Sequence, residues 1–319
     1  MHLNPIRPSP QHKNWYRRKT EDHFARPIPT PDNLDPDWRV ALNTGLRPGE
    51  QPVWMIWAPY QAVLKQKRPM YSDLPWEFSP DWLLALTPDR LLLLCVPAPN
   101  SQPQVVALDL DSILSLQQGV ILLYSWLTVT WATQGTVRQE TIIYNAVGEP
   151  CFSRLVNLIR ERLAHNPSGI EQANRTLLAN LPYKFKSLIP HRMLLPGETV
   201  RQVIYRPALW EKVLGIFRKM IAPRLAMALT ADYLLIAEED CTGTEGSYGF
   251  TATYLPLANV NHTELQPLKN GLEWRVVLEW HEARHELKIA FPISAEAELR
   301  TFPRSHALRE DEGRKRLAL

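Results

Sequence analysis

The chain repeats itself, and that limits its fold more than any other feature does. Pro48-Gly49-Glu50 returns 148 residues later as Pro196-Gly197-Glu198 (196 − 48), and Ile56 and Pro59 keep that offset with Ile204 and Pro207. Farther on, "LALTPDRLLLL" (84–94) matches "MALTADYLLIA" (227–237) and "ALDLDSI" (107–113) matches "YLPLANV" (254–260). "LTVTW" (127–131) then matches "VVLEW" (276–280). Four matches in one order, at nearly one spacing, mark a duplication, so whatever one half folds into the other must too.

Each half reads mostly as strands. Trp274, Val276, Leu278 and Trp280 alternate with Glu273, Arg275, Val277 and Glu279, and Leu287, Ile289 and Phe291 resume the period of two. Thr87–Asp89 and Thr230–Asp232 are turn signals that feed apolar runs. Each half then closes on a helix. In the first, Pro150 suits an opening turn, and Phe152, Leu155, Val156, Ile159 and Leu163 fall on one face. In the second, Ser294 is the cap, Leu299 and Phe302 are apolar, and Pro303 is the stop. Residues 168–182 place Ser168 and Glu171 at capping-box spacing, which predicts a helix bridging the halves. The proline-rich residues 1–45, with the basic cluster Arg17-Arg18-Lys19, read as an extended or disordered arm, and 305–319 as a charged tail.

A Pro-Gly-Glu entry, a first strand, L-T-x-D-(R/Y)-L-L and an (A/Y)-L-x-L-x-x-(I/V) strand together resemble the bacterial pleckstrin-homology-like domains, relatives of the GRAM type. The resemblance implies a mainly β fold with some α. Two tandem barrels are expected at 46–165 and 194–304, each a strongly bent antiparallel sheet of seven strands under a C-terminal helix. A helical linker, 166–193, joins them. The resemblance implies no catalytic residues, and ligands drawn from membranes, lipid headgroups or proteins.

"HEARH" (281–285) fits the H-E-x-x-H spacing by which His281 and His285 would hold zinc while a glutamate activates water. That chemistry needs both histidines on one helical face, whereas the flanks here alternate like strands. The segment therefore reads as the tip of a hairpin equivalent to "ATQGTVRQ" (132–139). A zinc hydrolase at 281–285 remains the remote alternative. No other catalytic set and no cofactor-binding loop stands out, so the expectation is a non-enzymatic protein without a cofactor. Cys95, Cys151 and Cys241 lie far apart, which argues against a disulfide framework. With no signal peptide and no apolar run near 20 residues, the expected location is cytoplasmic, membrane association staying open.

Net charge is only +3, and no recognised nucleic-acid module occurs, so nucleic acid is not expected as a ligand. Charge is nonetheless uneven: 175–224 is strongly basic and 225–298 strongly acidic. Within the basic stretch, "LWEKVLGIFRKMI" (209–221) places Trp210, Val213, Leu214, Phe217 and Ile221 on one helical face. Lys212, Arg218 and Lys219 lie elsewhere on that expected helix, and Arg224 follows it. The corresponding connector of the first half carries Lys65, Lys67 and Arg68, and resembles the phosphate-gripping loop of the family. These eight residues, Lys65, Lys67, Arg68, Trp210, Lys212, Arg218, Lys219 and Arg224, are the candidate binding set. Their ligand is expected to be a protein or peptide, with an anionic lipid surface as the alternative. Self-association is left open.

Overall fold

The structure, a computed structural model, describes residues 24–64, 76–96, 101–121, 123–164, 176–213, 217–239 and 249–302. The first half runs β1 (Arg26–Pro27), α1 (Pro36–Gly45), β2 (Trp54–Ala58), β3 (Gln61–Leu64), β4 (Trp76–Ser79), β5 (Trp82–Leu86), β6 (Arg90–Cys95), β7 (Gln104–Asp109), β8 (Ile113–Ile121), β9 (Tyr124–Thr133), β10 (Thr136–Asn145) and α2 (Glu149–Leu163). The second runs α3 (Tyr183–Leu188), β11 (Gln202–Arg206), β12 (Leu209–Val213), β13 (Phe217–Ala222), β14 (Leu225–Leu229), β15 (Tyr233–Glu239), β16 (Phe250–Pro256), β17 (Val260–Leu268), β18 (Gly271–Trp280), β19 (Ala283–Phe291) and α4 (Glu296–Thr301). From α1 and α3 onward the two series match element for element.

The pairings match as well. In the first half β2–β5, β5–β6, β6–β7, β3–β4, β8–β9 and β9–β10 are antiparallel pairs. Their counterparts β11–β14, β14–β15, β15–β16, β12–β13, β17–β18 and β18–β19 pair in the same sense. The halves are then fused through one further pair, β8 with β16, running from Leu116↔Tyr254 to Val120↔Phe250. The sheets are β1-β2-β5-β6-β7, then β10-β9-β8-β16-β15-β14-β11, then β17-β18-β19, with β3–β4 and β12–β13 as separate hairpins. The fold is mainly β, and among the described residues no sheet closes into a barrel.

The duplicated tripeptide has a local cause. Gly49 and Gly197 take φ of +80° and +78°, the third position of a type II turn that places Pro48 and Pro196 second. Each turn closes by a backbone bond, Glu50 to Arg47 and Glu198 to Leu195, both 3.0 Å. The glutamate carboxylates also accept from the backbone N–H of Arg47 and Leu195, at 2.8 Å each. The repeated threonine closes the next turn: Thr87 accepts from the N–H of Arg90, and Thr230 from that of Tyr233.

Burial explains why β5 and β14 are apolar throughout instead of alternating. Leu84 and Leu86 face the interior of the first half, while Leu83 and Ala85 pack under Trp38 and Leu42 of α1. In the second half Leu225, Met227 and Leu229 face its own core, and Ala226 and Ala228 face a core shared with Phe152, Leu155 and Ile159 of α2. Sheets covered on both faces need continuous hydrophobic strands.

Three expectations are corrected. Residues 1–45 do not form an arm throughout: β1 adds to β2, and α1 buries Trp38, Ala41 and Leu42 at helical spacing on the first sheet. Neighbouring prolines masked that short stripe. Residues 209–213 and 217–221 are not helical but lie in the paired strands β12 and β13, because they continue β11 and lead into β14, and tertiary pairing decides segments whose apolar pattern serves either state. The last helix starts at Glu296, after a tight turn Ile293–Ala295 that includes Ser294. Of the bridging helix, Thr176–Leu178 form a helical turn and 168–175 lie outside the described residues, as do Arg17-Arg18-Lys19, Pro303 and the tail.

Candidate functional site

The two halves differ at one sheet edge. In the first, β1 lies along β2, pairing Arg26 with Trp57 and Pro27 with Ile56, and Ile28 donates its backbone N–H to Met55 at 3.0 Å. In the second, β11 occupies the place of β2 but ends the seven-stranded order. An antiparallel ladder turns alternate residues to opposite sides, so Val203 and Tyr205, the counterparts of Met55 and Trp57, present their N–H and C=O groups away from β14. Their side chains are half-buried. Arg206 limits this edge at its C-terminal end. It is 2% exposed, donates to the Ala290 carbonyl at 2.7 Å, and also bonds the Pro223 carbonyl.

Beside that edge stands the hairpin β12–β13. Trp210 is 51% exposed and opposite Met220, Lys212 is opposite Arg218, and Glu211 is opposite Lys219. The register therefore brings Trp210, Lys212, Arg218 and Lys219 onto one hairpin, as strand positions and not as faces of a helix. The side chains of Lys212, Arg218 and Lys219 lie outside the described residues, as do Lys65, Lys67 and Arg68 altogether. Arg224 sits just past the hairpin, half-exposed, with an ion pair of 3.7 Å to Glu239, which Lys184 also approaches at 3.8 Å. Part of the basic stretch thus leans on the acidic half of its own chain.

"HEARH" does form a hairpin tip. β18 ends at Trp280 and β19 begins at Ala283, so His281 and Glu282 make the turn, with His281 at φ +51°. Histidine is among the side chains that tolerate that region. The His281 ring meets Trp280 edge-on at 4.1 Å. His285 lies within β19 opposite Leu278, and burial pushes its pKa down. The helical spacing that zinc hydrolysis requires is absent, and among the described residues no group of three or more His, Cys, Asp or Glu side chains gathers for a metal.

A buried polar cluster, unforeseen from the sequence, locks the halves together. Arg160 of α2 is fully buried and donates to Glu198 at 2.7 Å and to the Met193 carbonyl at 2.6 Å. Its guanidinium lies 4.6 Å from the Tyr233 ring centre and 4.5 Å from that of Tyr254. Tyr233 returns a hydrogen bond from its hydroxyl to the Arg160 carbonyl at 3.0 Å. In the first half the equivalent glutamate, Glu50, is paired by Arg90 of the adjacent strand. That arginine becomes Tyr233 in the second half, so the cation for Glu198 comes across the joint. The arginine-to-tyrosine change was the available signal.

The chain matches no protein-family model and no curated protein. Among the described residues no helix is long and apolar enough to cross a membrane.

Proposed function

We propose that the chain is a non-enzymatic binding module of two pleckstrin-homology-like units, each a bent two-sheet barrel under its closing helix, and that it recognises an extended peptide of another protein. The open edge of β11 carries this reading. Strand addition draws affinity from main-chain groups and specificity from side chains on either side. The chain already performs such an addition on itself, at β2 with Arg26-Pro27-Ile28. The exposed Trp210 and the basic hairpin flank the edge and favour an aromatic contact and an acidic neighbour in the peptide.

Selecting peptides from a random library and measuring their affinity for wild type and Val203→Pro tests this. Proline at 203 removes an outward N–H and leaves the Ile204 ladder bonds to β14 in place. Affinity should fall at least about tenfold, the value of one hydrogen bond lost without replacement. Peptides that bind the variant equally well exclude the edge. The hairpin favours one other reading: its strands are joined by Leu214-Gly215-Ile216 between basic residues, a composition suited to an anionic bilayer. Salt-sensitive flotation with anionic liposomes, abolished by K212E/R218E/K219E, would replace the peptide by a membrane. Either ligand suits a protein held at the cytoplasmic side.

A further inference from the structure

A cavity of about 330 Å³ opens in the first half between β1, the start of α1 and the sheet. Its buried lining is apolar, made by Ile28, Leu34 and Trp38. Trp57, half-buried, adds a wall and meets Trp38 edge-on, with centroids 4.7 Å apart and planes at 89°. Its exposed lining is polar, with Arg26, Asn33 and Asp35 at the rim.

Two of the rim groups have hydrogen-bonding capacity to offer. Asp35 precedes α1, yet its carboxylate makes no capping bond to the helix. An ionised carboxylate only accepts, so it calls for a ligand that donates. Asn33 accepts the Thr30 hydroxyl at 2.8 Å through Oδ1, so Nδ2 is the group it presents as a donor. Acceptor and donor thus stand two residues apart on one rim. Charge sets a further limit. Arg26 lines the same cavity as the carboxylates of Asp35 and Asp81, the latter accepting the Tyr60 N–H at 2.7 Å, so an ion of either sign meets a like charge. A neutral ligand rich in hydroxyls meets no such opposition, because each hydroxyl both donates and accepts.

We propose that this cavity binds a sugar, free or as the terminal unit of a larger glycan, packed on Trp57 with its hydroxyls on Asp35 and Asn33. One face of a pyranose ring is a layer of C–H bonds that packs on an indole, while the hydroxyls project around its edge. The apolar interior and polar rim of the cavity match that division, and an indole supplies a large, rigid apolar surface. Size agrees: the volume is at the lower end of that of small-molecule sites, which suits a sugar ring and not an extended chain. The site is separate from the edge of β11, so it stands whether or not a peptide binds there.

Indole N–H shifts in the nuclear magnetic resonance spectrum of the full chain, with tryptophan fluorescence, provide the test. The probes are glucose, galactose, mannose and N-acetylglucosamine. Glycerol is the control with hydroxyls but no ring, and cyclohexanol the control with a ring but a single hydroxyl. Saturable shifts of the Trp57 resonance, assigned by its loss in Trp57→Phe, are expected with at least one sugar and with neither control. Asp35→Ala should weaken binding of that sugar about tenfold, as loss of one hydrogen bond to a charged group does. The carboxylate caps nothing, so an unchanged unfolding midpoint separates lost affinity from lost folding. Equal binding of the methyl glycoside would assign the site to the end of a glycan, and its loss to a free sugar; both sustain the site. Absence of saturation with every sugar, an equal response to either control, or undiminished binding by N33A/D35A would overturn it.

Discussion

Replacing Arg160 by methionine asks how much of the union of the two halves rests on one buried charge. Methionine keeps an unbranched apolar stem of similar length, so the packing loss between Tyr233 and Tyr254 is small. Glu198 then loses the Arg160 guanidinium. Its side chain is only 10% exposed and retains the Leu195 N–H and the Thr230 hydroxyl, the latter at 2.7 Å, after losing the one buried cation that donates to it at 2.7 Å. Removing one member of a buried ion pair costs about 3–5 kcal/mol, because the remaining charge stays desolvated. Glu198→Gln in the same background removes that charge, so the double variant should recover most of the loss. Urea titrations followed by tryptophan fluorescence and by backbone circular dichroism measure both effects. The two probes should also cease to coincide in R160M, since Arg160 belongs to the helix of one half while Glu198 and Met193 open the other. A loss below about 1 kcal/mol, or a double variant worse than R160M, refutes the argument, since a pair worth that little behaves as a surface pair does.

Two further outcomes follow from the same packing. The Arg90 guanidinium beside Glu50 holds its carboxyl down from 4.5 to about 2, and that shift amounts to about 3 kcal/mol. A depressed folded-state pKa gives stability that is full above about pH 4.5 and is lost as pH falls towards about 2. The stability gap between wild type and Glu50→Gln, measured by urea at stepped pH, should therefore close over that window; a gap independent of pH sinks the assignment. Trp38→Ala should cost about 3–5 kcal/mol, as truncating a buried aromatic does, because Trp38 anchors α1 in the buried cluster that holds Leu83 and Leu92. A change under about 1 kcal/mol would return residues 1–45 to the status of a loose arm.

The order of strands was legible in the sequence because the duplication supplied each reading twice. Where Trp274–Trp280 alternate clearly, the first-half counterpart is confirmed by position, and "HEARH" fell to a hairpin tip by reference to Gln134-Gly135, which turns at φ +47° and +72°. Periodicity read without that comparison misled at 209–221. Trp210, Val213, Phe217 and Ile221 fit a helical stripe, but they also fit two short strands about Gly215, and periodicity over so few residues does not separate the two. Of the basic residues expected to bind, Lys212, Arg218 and Lys219 stand on one hairpin and not on a helix, and Lys65, Lys67 and Arg68 lie outside the described residues. The open edge of β11 was not legible at all, for main-chain donors carry no side-chain signature. Only β1, in a segment read as an arm, reveals that such an edge accepts a strand.

Duplicated halves start alike, so each difference between them needs a cause, and the differences sort by what they leave unmet. At the joint fusion answers the loss of a cation: Tyr233 replaces Arg90, and Arg160 arrives from the other half to pair Glu198. At β11 the outward main-chain groups of Val203 and Tyr205 have no neighbouring strand among the described residues, a need that water can satisfy at modest cost. The edge is therefore explicable by water alone, so the peptide titration against Val203→Pro, and not the edge by itself, decides the functional reading.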